Sequence, residues 1–357
     1  MKASLVSAIL IITLMVALTY SVFAFNLKAI RSLERRLGYA TFGSPSLRNV
    51  FLAGANPSMC SAPLESRHVS AAYERARWAA PIALRGLDVS DLMWKAATVQ
   101  TTNKDQTRSK VYAKQEEGWV TLSSDKLPFF CSVGEWQGLL LVVYRSTASE
   151  SEALQGDLGG AFTAQYGYAD VLRLLHNGIP VPFPPQVTLD GKESASNDVP
   201  KVHAGFWSAY VESGLESDVW RELEKRLQQK RMPLAILGHS LGAGVAAVCV
   251  AKSIPRLQLL KLPNVYLILT ACPKPGNTAL QTHILRSNVE CICYANEADP
   301  VPWLPFSTMP NPISKDGMLE YTMLPGTFLL SRSCPSLLLS HSSMTYRGLL
   351  AGLAARK

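Results

Sequence analysis

The sequence predicts an α/β architecture, a mostly parallel sheet with helices on both faces. Three observations carry that expectation. Four short apolar runs have the length of buried strands: GLLLVVY (138–144), PLAIL (233–237), VYLILTA (265–271) and VECICYA (289–295). Helix-like stretches such as VWRELEKRLQQK (219–230) alternate with them. One strand-to-helix join reads Gly238-His239-Ser240-Leu241-Gly242, a G-x-S-x-G turn.

Five residues of pattern are weak evidence, so the flanks decide. A nucleophile elbow needs a buried strand, a sharp turn and then a helix. The apolar run 233–237 precedes Ser240, and 243–252 is rich in Ala and Val with no breaker after Gly244. Glycines at 238 and 242 permit close backbone approach and a tight turn. A phosphate-binding loop would call for a Lys or a G-x-G-x-x-G spacing, and neither is present.

A serine hydroxyl is a poor nucleophile until a base takes its proton, and the base needs a third group to orient it. On an α/β-hydrolase scaffold the chain order is Ser, acid, His. After Ser240 the carboxylates are Glu290, Glu297, Asp299, Asp316 and Glu320, and the histidines are His283 and His341. The His must follow an acid at a strand end, which leaves His341. Asp299 is favoured among the acids because it closes a strand and precedes the breakers Pro300 and Pro302. Glu297 is its rival two residues away. Asp316 and Glu320 sit in a turn and a short strand and read as surface groups.

These residues resemble the class 3 lipases, the family of fungal triacylglycerol lipases and their relatives. KVHAGFWSAY (201–210) resembles the segment that precedes the elbow, and GHSLGAG the elbow itself. LTACPKPGN (269–277) is similar to the family's strand-and-loop motif, with Ala271 and Cys272 departing from it. YANEADPVPWLP resembles the acid loop and puts the acid at Asp299. The resemblance covers roughly residues 94–357 and implies an α/β-hydrolase fold with Ser240, Asp299 and His341 as the catalytic set. It also implies an oxyanion hole from the Leu241 N–H and Thr147. Thr147 belongs to Arg145-Ser146-Thr147, where Ser146 stands in place of the family's glycine. His203 is structural in such proteins, and His239 reads as a packing residue.

At 357 residues and 48% hydrophobic content, one large domain with appendages is expected. The expected divisions are a leader at 1–27, a helical extension at 28–92 and a hydrolase domain at 93–357. The extension includes SRHVSAAYERARWAA (66–80), with apolar and basic residues on different faces; it covers the core or touches a membrane. The net charge is +8, with basic residues concentrated in the N-terminal third. No nucleic-acid module is visible, so attraction to an anionic lipid surface, or simple solubility, accounts for it better.

Residues 3–27 carry no charge and read either as a secretory signal peptide or as a membrane anchor. The expected location is therefore a membrane or the secretory route. Seven cysteines leave at least one without an intrachain partner, and Cys291 and Cys293 are too close to read as a staple. The stretch 149–200 is a lid, an acyl-chain wall or a surface insertion.

Three functions stay open: a serine hydrolase of acyl lipids, at a membrane or lipid-droplet surface; a phospholipase, galactolipase or non-lipid esterase of the same fold; and a non-catalytic lipid-binding homologue. None calls for a metal or a cofactor, and no metal-ligand spacing appears.

Overall fold

The computed structural model describes residues 67–102, 118–124, 127–147, 186–192, 196, 198–299, 301–305, 307–310, 318–330 and 337–355. The expected leader, most of the extension and most of the 149–200 insert lie outside the described residues.

The described residues open with a long helix, α1 (Arg67–Thr102). Three strands follow: β1 (Val120–Leu122), β2 (Cys131–Trp136) and β3 (Leu139–Tyr144). Gln137 and Gly138, both at positive φ (47° and 79°), turn β2 into β3 as a tight hairpin. Next come β4 (Gln186–Thr188), β5 (Lys201–His203), a short α2 (Ala204–Trp207) and α3 (Leu215–Gln229). The centre is β6 (Leu234–His239), α4 (Leu241–Leu260), β7 (Val265–Thr270), α5 (Thr278–Leu285) and β8 (Val289–Asn296). The chain closes with β9 (Thr308–Pro310), β10 (Met318–Glu320), β11 (Thr327–Leu330), α6 (Leu337–His341) and α7 (Ser343–Ala354).

Seven strands form one sheet in the order β1-β2-β3-β6-β7-β8-β11. The pairs from β3 to β11 are parallel, and β1 and β2 add an antiparallel edge. The architecture is the one the sequence predicts.

Alternation along the strands builds two cores. Leu140, Val142 and Tyr144 of β3, with Leu234 and Ile236 of β6, face the core shared with α3 and α4. Leu141, Val143, Ala235 and Leu237 face the other side, against α1 and α7. A strand buried on both faces reads as a continuous apolar run, which is why these strands were visible in the sequence.

The expected boundary at residue 92/93 falls inside α1, which runs through it without a break. Ala76, Ala79, Ala80, Ala83 and Leu87 recur at helical spacing and are buried against the sheet. Small side chains let the helix approach closely: a Cβ at Gly86 would lie 2.8 Å from Leu237 Cδ2. Of the two readings of 66–80, the described part takes the first, a helix that covers the core. Beside it, Tyr346, Leu350 and Leu353 of α7 complete that face.

Candidate active site

The site lies at the carboxyl ends of the parallel strands, where open α/β sheets bind ligands. Ser240 follows β6 and takes φ 56°, ψ −124°, a sparsely populated positive-φ conformation that costs a non-glycine residue about 1–3 kcal/mol. The turn is held over-determined by its surroundings. The Ser240 N–H donates to the Thr270 carbonyl at 3.1 Å, and its own carbonyl accepts from Ala243 and Gly244.

Both flanking glycines are there for space. A Cβ at Gly238 would lie 2.3 Å from the Gly242 carbonyl oxygen. One at Gly242 would lie 2.4 Å from the Tyr144 and Arg145 carbonyl oxygens. The elbow therefore packs directly on the end of β3.

Ser240 Oγ and His341 Nε2 are 2.8 Å apart. His341 Nδ1 lies 2.9 Å from Asp299 Oδ2 and 3.1 Å from Oδ1. Asp299 is fully buried, while Glu297 is exposed, so of the two rival acids only Asp299 reaches the imidazole. The Val301 N–H donates to Asp299 Oδ1 at 2.9 Å. The Tyr346 hydroxyl donates to Oδ2 at 2.8 Å.

Further hydrogen bonds fasten the acid loop to the histidine. The Ser340 hydroxyl donates to the Ala298 carbonyl, and Asn296 Nδ2 donates to the Ser340 carbonyl. Tyr346, Asn296 and Ser340 were not singled out from sequence. Each is an ordinary polar residue whose role appears only when the C-terminal helices fold back onto β8.

Thr147 is held from α1. Its hydroxyl is buried with no hydrogen-bond partner among the described residues. Its carbonyl accepts from Trp94 Nε1 at 3.0 Å. Ser146 donates its N–H to Ser90 Oγ at 3.3 Å, so α1 grips this segment twice. The buried Arg145 guanidinium adds bonds to the Pro128, Phe129 and Ser146 carbonyls. Ser146 is absent from the described residues with positive φ, so a side chain fits where the family pattern has glycine. Leu241 opens α4, where the first N–H groups have no partner in the helix's own ladder.

His283 and His203 stand apart from this set. His283 faces the Ala251 carbonyl at 3.1 Å. His203 is buried, caps α2 by accepting the Gly205 N–H, and stacks on Phe206. His176 and Asp316 lie outside the described residues, as does the side chain of His68. The five described cysteines form no disulfide; the Cys291 and Cys293 sulfurs are 3.7 Å apart. Among the described residues no cluster of His, Cys, Asp and Glu could hold a metal ion.

The family model for Lipase (class 3) matches residues 183–309. Over that stretch the chain is similar to the class 3 lipases. The stretch contains the elbow and Asp299 but not Thr147 or His341. A lipase of Rhizomucor miehei is 31% identical over 107 residues, covering 29% of this chain and 29% of the relative. A secreted mono- and diacylglycerol lipase A of Penicillium cyclopium is 32% identical over 106 residues, covering 29% of this chain and 32% of the relative. The chain therefore spans about three-tenths of the length of the curated relatives it matches. The solved triacylglyceride lipase of Rhizomucor miehei aligns with a TM-score of 0.45 at 17% identity, over 76% of this chain and 95% of that one.

Proposed function

We propose that this protein is a serine hydrolase that cleaves acyl esters of lipids through an acyl-enzyme on Ser240. One observation carries the reading: the unbroken line from Ser240 Oγ through His341 to a buried carboxylate, set on a positive-φ turn at a helix N-terminus. The match to the class 3 lipase family and the names of the relatives support the lipid substrate.

Ser240 Oγ attacks the ester carbonyl carbon while its proton passes to His341 Nε2. Asp299 orients the ring and faces the imidazolium that forms. The carbonyl oxygen becomes an oxyanion, for which the Leu241 N–H and Thr147 supply donors; losing one such donor costs about 3 kcal/mol. Collapse breaks the ester C–O bond, and His341 returns the proton to the leaving alcohol. A water, deprotonated by the same ring, then releases the fatty acid. The proton moves only between these side chains, water and substrate.

Trp303, four residues after Asp299, and Leu339 and Met344, on either side of His341, are exposed. Apolar groups so near the site suit an acyl lipid presented at a membrane or droplet surface. Entry to the secretory route or anchoring by residues 1–27 belongs to the same reading.

The test is hydrolysis of a medium-chain p-nitrophenyl ester and of an emulsified triacylglycerol, with Ser240→Ala and Asp299→Asn alongside. Turnover is expected in the native chain, with a loss of roughly 10⁶-fold in Ser240→Ala and roughly 10⁴-fold in Asp299→Asn. If the folded native chain is as inert as Ser240→Ala on both substrates and on a phospholipid, the lipid-binding alternative replaces this one.

A further inference from the structure

His239, one residue before the proposed nucleophile, takes no part in the proton path above, yet its ring stacks on that of His341. The two rings stack with centroids 5.4 Å apart and planes 22° from parallel. Tyr346 meets the His239 ring edge-on at 5.4 Å. The His239 ring is pinned: Nδ1 lies 2.9 Å from Thr270 Oγ1, and the ring also meets the backbone of His341. It is buried at 4% exposure.

We propose that His239 is a positioning residue for His341: its uncharged ring runs nearly parallel to the His341 ring, fixes its plane and steadies it when it carries the proton. An aromatic face attracts a cation set over it, the more so away from water. A second charged imidazole there would do the reverse. Burial and the neighbouring His341 push His239 down to about 3, so it stays neutral wherever His341 is protonated above that pH. The proposal rests on the hydrolase reading for its catalytic consequence, but the ring-to-ring coupling does not.

The other ionisable or polar groups facing this pair are accounted for. Asp299 faces His341 from the end of β8, and Ser240 from the elbow. Tyr346 and Arg347 approach from α7, and Arg347 is engaged by Asp88 and Asp91 of α1. Thr270 lies at the end of β7. Among these contacts, the ring of His239 is the one stacked on His341.

The test is an NMR titration of the His341 ring in the native chain, His239→Leu and His239→Phe, without substrate. Leucine is expected to make His341 about tenfold harder to protonate, a fall of roughly one pH unit, and phenylalanine to restore most of it. In turnover, His239→Leu lowers kcat and leaves KM nearly unchanged, and the acid limb of its pH profile moves by the same amount. An unchanged or raised His341 pKa in folded His239→Leu overturns the proposal and leaves His239 a space-filler. If that variant does not fold, the native chain decides through ring-current shifts: His341 ring protons without upfield displacement would contradict the stack. If His341 responds but the native chain hydrolyses no ester, the hydrolase reading fails and the coupling stands.

Discussion

Tyr346 and Asp299 share a hydrogen bond of 2.8 Å in the protein interior, and the same tyrosine oxygen accepts the Asn296 N–H at 2.9 Å. Burial and the charge of Asp299 raise the Tyr346 hydroxyl far above its ordinary range, so it remains a donor at any working pH. One residue of α7 thus ties the acid, the end of β8 and the C-terminal helix together.

Tyr346→Phe removes that donor and strands a buried N–H. A cost of about 1–3 kcal/mol in stability is expected, since unsatisfied buried groups lose their full desolvation energy. A several-fold fall in kcat should accompany it, because Asp299 keeps only Val301 and His341 as hydrogen-bond partners named around it. Urea unfolding and ester turnover measure the two effects. A variant with native stability and native kcat would show that Tyr346 is a bystander.

Gly242→Ala addresses the elbow itself. The added carbon would lie 2.4 Å from two backbone oxygens, and neither can swing away as a side-chain tip could. A loss of at least about 3 kcal/mol is expected, at the upper end for overpacking. Thermal unfolding of the purified variant checks it. A near-native midpoint would mean that the elbow does not press on the end of β3 as described.

Much of this was readable in the sequence, for physical reasons. Strands buried on both faces leave apolar runs, and a turn that forbids a Cβ leaves glycines at fixed spacing. The chain-order rule left His341, and the strand-end position favoured Asp299 over Glu297. What escaped notice was long-range and polar. Nothing local marks Trp94, Ser90 or Tyr346, because their partners lie 53, 56 and 47 residues away. The alanine stripe of α1 misled in another way. Alanine is too small to signal a core helix, and the expected boundary at residue 92/93, close to where the family resemblance begins, falls within a helix packed on the sheet.

That boundary yields a prediction. A chain beginning at Met93 lacks Ala76, Ala79, Ala80, Ala83 and Leu87, and exposes Leu141, Val143, Ala235 and Leu237 on one sheet face. Exposed apolar surface of that extent drives aggregation. A chain beginning near residue 66 keeps α1 whole. Expression of both, read by soluble yield and size-exclusion profile, should give folded protein only from the longer one. Equal behaviour of the two would make α1 an appendage after all.

Acid sensitivity follows from His239. Its ordinary value is 6.5 and burial, with His341 beside it, takes it to about 3. The unfolded chain therefore binds a proton below 6.5 that the folded chain refuses. Stability from this group is intact above 6.5 and drains away as the pH falls toward 3, by up to about 4 kcal/mol across the window. His239→Phe keeps a ring and removes the titration, so its urea midpoint should fall less steeply than the native one between pH 6.5 and 4. Parallel curves would mean that His239 is protonated in the folded protein.

The grip of α1 on the Arg145–Thr147 segment makes the last prediction. Trp94 Nε1 donates to the Thr147 carbonyl, and Ser90 Oγ accepts the Ser146 N–H. If Thr147 serves the oxyanion, its position matters to a fraction of an ångström, because donors act only where charge develops. Trp94→Phe keeps most of the packing and deletes one hydrogen bond, for about 1 kcal/mol of stability. Its effect on turnover should be larger in proportion: roughly a tenfold fall in kcat with KM little changed, as expected when a transition-state contact is displaced. Ser90→Ala should act in the same direction and more weakly, its bond being the longer. Pairing each with Thr147→Ala gives the decisive comparison. If Thr147 is the route, Trp94→Phe adds little to a chain already lacking that hydroxyl. Fully additive losses would locate the effect of Trp94 elsewhere in the site.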